Sequence, residues 1–154
     1  ELTKIPPLKE LFIPINKFGS QQRSVNIIND AYNSDAQILV FPAGLASRKM
    51  RGQITDLQWQ KHFIQKSVQF QRDVIPVHVE GKNSGLFYWL ANFRKLIGLK
   101  INIEMFLLPD ELFKHRGKTF TISFGRPIKW QTFDSSKSPA EWAADVKEIV
   151  YSLK

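Results

Sequence analysis

Cysteine is absent from the 154 residues, which excludes disulfides and thiolate metal ligands. No apolar run reaches the ~18 residues that a spanning helix needs, so no segment of the sequence is expected to cross a bilayer as a helix. Histidine is scarce, with His62, His78 and His115 the three present. None stands in a pattern such as His-Glu-x-x-His, and the expectation is neither metal nor cofactor. Glycine-rich phosphate loops, the dinucleotide-binding Gly-x-Gly-x-x-Gly and the Gly-x-Ser-x-Gly elbow are all missing. So are helix-turn-helix, RRM and zinc-finger patterns, and no nucleic-acid partner is expected. Acids are outnumbered by bases, 14 to 22, which leaves a formal charge of +8. Such a balance favours anionic partners, among them a membrane surface or an acidic carrier.

Hydrophobic residues make up 43% of the chain and aromatics 12%, enough to bury a core. The length suits a single domain over residues 1–154. The spacing predicts helices over Gln21–Asn33 (after a Gly19-Ser20 cap), Leu57–Gln71 (capped by Asp56), Leu86–Ile97 and a short stretch from Pro109, with a last helix from Ser138-Pro139. Strands are predicted at Gln37–Phe41, Val74–Val79, Ile101–Leu108 and Thr119–Phe124. Gly52–Asp56 reads as polar loop. Helix and strand alternate, which predicts an α/β domain with a largely parallel central sheet flanked by helices.

Gln37–Arg51 is the stretch around which the rest is placed. Ile38–Phe41 read as a buried strand, Pro42 stops it, and Ser47, Arg48, Lys49 and Arg51 follow a glycine turn. A cationic turn at the carboxyl edge of a sheet suits an anion site, and Arg48 could grip a phosphate or carboxylate with two parallel hydrogen bonds. A solvated basic loop is the other reading. His78, two residues from Glu80, is either a base at the sheet edge or a packed side chain. Leu86–Lys100 suits an interfacial helix, with Phe87, Trp89, Arg94 and Lys95 touching a membrane, or equally a core helix with cations at its C-terminus.

Phe41-Pro42-Ala43-Gly44-Leu45-Ala46-Ser47-Arg48 resembles the Phe-Pro-Glu-Gly-Thr-Arg-Ser-Arg motif of the glycerolipid (lysophosphatidic acid-type) acyltransferase family. Ile75-Pro76-Val77 before Glu80-Gly81, and Phe124-Gly-Arg-Pro-Ile128, resemble that family's later strand and closing turn. The nearest likeness is to a bacterial branch labelled hemolysin, whose members resemble O-acyltransferases of ornithine or glycine lipids. The resemblance implies transfer of a fatty acyl group from acyl-carrier protein or acyl-CoA to a lyso-lipid hydroxyl, by a peripheral enzyme on the cytoplasmic face of the inner membrane. It implies substrate binding by Phe41, Pro42, Gly44, Ser47 and Arg48, and by Lys17 as counterpart of an earlier family arginine.

The family's His-x-x-x-x-Asp signature is absent. Ser67, Asn83 and Phe120 stand five residues beyond the three histidines. The expectation is therefore a carboxyl-terminal part of an acyltransferase domain, incomplete at its N-terminus, with no catalytic residue of its own and no activity alone. Ala43 and Ala46 replace the family's Glu and first Arg. That departure points away from a glycerol-phosphate acceptor and toward an amino-acid lipid. A non-catalytic lipid- or nucleic-acid-binding module is the alternative.

Overall fold

The structure, a computed structural model, describes residues 12–13, 21–99 and 101–153. Lys17 and the Gly19-Ser20 cap lie outside them. The chain divides into two units, Glu1–Val40 and Phe41–Lys154.

In the first unit, helix α1 spans Gln21–Asn33. Ser34 closes it, as its amide and hydroxyl both bond back to the Ala31 carbonyl. Residues 36–40 then form no strand, although one was predicted over Gln37–Phe41. Residues 37–41 have no ladder partner among the described residues, and Leu39 is 73% exposed. A strand exists only with a ladder partner, so an apolar run without one stays irregular.

The second unit opens on a β-turn. Gly44 donates to the Phe41 carbonyl at 3.1 Å, with Pro42 in the position its fixed φ favours. Gly44 itself has φ +67°, a conformation nearly free for glycine and costly for other residues. Strands β1 (Arg48–Met50) and β2 (Gln53–Thr55) follow as an antiparallel hairpin, where polar loop was expected. Arg51 and Gly52 form its tip with φ of 49° and 84°, the paired left-handed geometry that matches strand twist.

Helix α2 (His62–Phe70) starts later than predicted, because Asp56 is engaged elsewhere and does not cap it. Strand β3 (Val77–Val79) pairs antiparallel with β4 (Ile122–Phe124). The Val74–Ile128 bridge and the Glu80 amide on the Thr121 carbonyl extend the ladder. Both sheets among the described residues have two antiparallel strands, and a largely parallel sheet is not among them. Helix α3 covers Gly85–Leu96. The predicted strand Ile101–Leu108 is instead a 3₁₀ turn, Ile103–Leu107, running into helix α4 (Leu108–Lys114). Pro109 near the start of α4 suits a helix opening.

Helix α5 (Pro139–Ser152) begins with a complete capping box, Ser138 and Glu141 each bonding the other's backbone amide. It packs on α2. Phe63, Ile64, Phe133, Ala143 and Val146 make the core, with Trp59, Val74, Ile128 and Trp142 at its rim. The apolar side of the β3–β4 ribbon is open instead. Val79, Ile122 and Phe124 are all exposed, although the alternation of Phe120, Ile122 and Phe124 with Thr119, Thr121 and Ser123 predicts a strand buried on its apolar face.

Candidate functional site

The Pro42–Arg48 turn is locked from inside. The Gln60 amide donates to the Pro42 carbonyl at 3.0 Å. Ser47 donates its hydroxyl to Asp56 Oδ1 at 2.6 Å, and Trp59 Nε1 reaches Asp56 Oδ2 at 3.1 Å. From α5, Lys147 Nζ bonds the Asp56 carbonyl at 2.7 Å, and the Tyr151 hydroxyl accepts the Asp56 amide at 2.8 Å. Asp56 is thus a hub between turn and helix.

Arg48 points inward rather than into an open cleft. One nitrogen donates to the Ala46 carbonyl at 3.0 Å and the other to Glu104 Oε1 at 2.6 Å. Its guanidinium carbon lies 5.9 Å from the Phe87 ring centroid. Glu104 is 0% exposed. Its second oxygen faces Arg94 Nε at 3.0 Å, with the N–H misaligned, so this contact is an ion pair rather than a hydrogen bond. Arg94 also donates to the Leu99 carbonyl at 2.9 Å. One buried carboxylate therefore meets a buried guanidinium, Arg48, and a half-buried one, Arg94, and the anion that Arg48 holds is internal.

A second buried acid fixes the other end of α3. Ser84 caps the helix and donates its hydroxyl to Glu111 Oε1 at 2.6 Å, while its amide donates to the other oxygen. Lys114 adds a contact at 3.1 Å. Burial pushes the Glu111 carboxyl up, but the two Ser84 donors and Lys114 outweigh it and hold the group below its ordinary value. Tyr88 beside it is pushed up, mainly by burial. Its hydroxyl accepts the Asn83 amide at 3.1 Å.

Of the predicted ligands, Phe41 is 73% exposed and belongs to no strand, while Pro42 and Gly44 shape the turn. Ser47 and Arg48 are brought within one network, both with partners inside the protein. Of the predicted membrane contacts, Trp89 and Lys95 are exposed. Phe87 is fully buried and cannot meet lipid as placed, and Arg94 is half-buried and paired with Glu104. The correction has one cause: the buried side of α3 carries Phe87 and Arg94.

His62 is exposed on α2. His78 packs edge-on to Tyr151 and His115 to Phe120, which favours the packed reading. Among the described residues no group of His, Asp or Glu could hold a metal. A shallow hollow of about 400 Å³ between Val68, Phe133 and Trp142 contains none of the predicted ligands. Glu104, Glu111 and the hub role of Asp56 were not foreseen. The available signal for Glu104 was its isolation, as the one acid between Glu80 and Asp110.

The profile of a family described as "Acyltransferase" matches residues 1–154. The chain is 53% identical over 153 residues to a lyso-glycine lipid O-acyltransferase of Bacteroides thetaiotaomicron, covering 99% of this chain and 56% of that protein. A protein of the same name from Phocaeicola vulgatus is 51% identical over 153 residues, covering 99% and 55%. The chain spans about half the length of these curated relatives. No solved structure matches it.

Proposed function

Since this chain belongs to the acyltransferase family that matches it from end to end, we propose that it forms part of a lyso-lipid O-acyltransferase whose acceptor is a lyso-glycine lipid or a close amino-acid analogue. The observation that carries this reading is identity above one half to two proteins of that name. The donor is acyl-carrier protein or acyl-CoA. The acceptor hydroxyl attacks the thioester carbonyl, its proton goes to a base, and the thiol leaves. No side chain of this sequence is assigned as that base, because the His-x-x-x-x-Asp signature is not in it. The complete domain is expected to be α/β with a largely parallel sheet, and to act as a peripheral protein at the cytoplasmic face of the inner membrane.

The turn supports a phosphate-free acceptor. Ala43 and Ala46 stand where the resembled motif has Glu and Arg, and the Arg48 charge is already met by Glu104. A glycerol phosphate would find no uncommitted guanidinium there.

A graft tests the proposal. The matching 153 residues of the Bacteroides thetaiotaomicron relative are replaced by this chain. The hybrid is assayed in detergent micelles with each donor, against lyso-glycine lipid and lysophosphatidic acid. It is expected to acylate lyso-glycine lipid faster, while this chain alone transfers nothing. Preference for lysophosphatidic acid, a folded but inactive hybrid, or turnover by the chain alone would each defeat the reading.

A further inference from the structure

Helix α3 is apolar on two opposite sides. Phe87, Tyr88 and Ala91 are buried on one. Leu86, Trp89, Phe93 and Leu96, spaced by three, four and three residues, form a stripe on the other. All four are exposed, Trp89 to 58% and Leu96 to 83%. Trp89 and Phe93 stack with centroids 5.2 Å apart. An ordinary surface helix would carry charge on that outer side.

The helix is also pinned. Glu111 holds its first turn through Ser84, and Glu104 holds its last through Arg94. The hairpin lies beside it, with Asn92 Nδ2 donating to the Lys49 carbonyl at 3.3 Å. Lys49, Met50 and Arg51 at the hairpin tip are exposed, and so is Lys95. No acid occurs in residues 81–103 or 36–55.

We propose that the outer face of α3, with the β1–β2 tip at its side, is the surface on which the protein rests against an anionic lipid bilayer. Rings at the headgroup level, aliphatic side chains beneath them and lysines reaching phosphates fit a helix lying in the interface plane. No described helix is long and apolar enough to cross a membrane. A protein partner fits less well, because lysine is depleted from protein interfaces, whereas here lysines flank the rings. The assignment rests on the lipid-acyltransferase reading for its context, and it names the docking side of that enzyme.

Flotation of the full chain tests it, with vesicles of phosphatidylcholine alone or mixed with phosphatidylglycerol. The chain is expected to float with the anionic vesicles. Trp89→Ser with Phe93→Ser should weaken partitioning about tenfold. Lys49→Gln and Lys95→Gln should each weaken it about fivefold. These side chains are exposed, so circular dichroism and Tm should match the parent. Failure of the parent to float, or equal flotation of the ring variant, overturns the proposal. So does a loss of oligomeric mass in the ring variant without vesicles, which would make the face a contact between copies. The grafted hybrid is assayed in micelles, so the two readings fail separately. Flotation through Trp89 without acyl transfer leaves docking standing, and transfer without flotation leaves the enzyme standing.

Discussion

Glu104 accepts Arg48 on one oxygen and faces Arg94 on the other, with no exposed surface of its own. Removing that charge strands the buried Arg48 guanidinium and leaves the half-buried Arg94 unpaired, and for the buried cation the lost partner costs more than the pair had contributed. Glu104→Gln keeps the shape and removes the charge. It is expected to lower stability by about 3–5 kcal/mol, read from the chemical-denaturation midpoint at unchanged m-value. Adding Arg48→Met to Glu104→Gln should recover part of that loss, because one unpaired cation leaves with it. Additive losses would show that Arg48 and Glu104 do not act as a pair. From sequence Arg48 is either a ligand for an external phosphate or carboxylate or part of a solvated basic loop, and in the structure its charge is met inside the protein. That its anion is Glu104, 56 positions on, was not legible, because nothing local to either residue encodes the contact.

Helix α3 was legible almost to its ends, since the apolar run from Leu86 and the glycine at Gly98 put its limits within a residue of Gly85–Leu96, although the Ser84 cap was not recognised. Which side it buries was not, because both sides are apolar and periodicity cannot choose between them. Its N-terminus supplies a pH signature. Glu111 has its folded pKa below the ordinary 4.5, so the unfolded chain binds the proton more readily. Its stabilising contribution is present above about 4.5 and is lost as pH falls through the lower folded value. Carboxylate at that helix start also favours the dipole. Glu111→Gln is expected to lower Tm at neutral pH and to flatten the fall in Tm below the ordinary carboxylate range. Parallel acid profiles for parent and variant would remove Glu111 from this role. The hairpin was missed for a different reason. Only Gly52 signals its turn, and Arg51 adopts φ +49° without belonging to the residues that usually do.

At the scale of the molecule, element types were mostly readable and their partners were not. Val74–Val79 and Thr119–Phe124 were recognised as strands, yet their antiparallel pairing across two intervening helices is a long-range fact that alternation of helix and strand does not contain. Ile38–Phe41 has strand composition but no ladder partner among the described residues, and composition alone does not create one. Net charge, by contrast, is a property of the whole sequence, and its consequence can be argued directly. A formal +8 makes the compact state repel itself more than the expanded chain does. Against this stand exposed pairs such as Lys114–Asp110, Lys129–Asp73 and Lys137–Asp145, each worth little in water. The Glu104 cluster is buried and weakly screened. Sodium chloride should therefore relieve more repulsion than attraction. Raising it from a few millimolar to about physiological strength is expected to raise Tm by roughly 2–4 °C, the equivalent of about 1 kcal/mol at this size. A Tm that falls with added chloride would mean that specific surface pairs, rather than net charge, dominate the electrostatics of the fold.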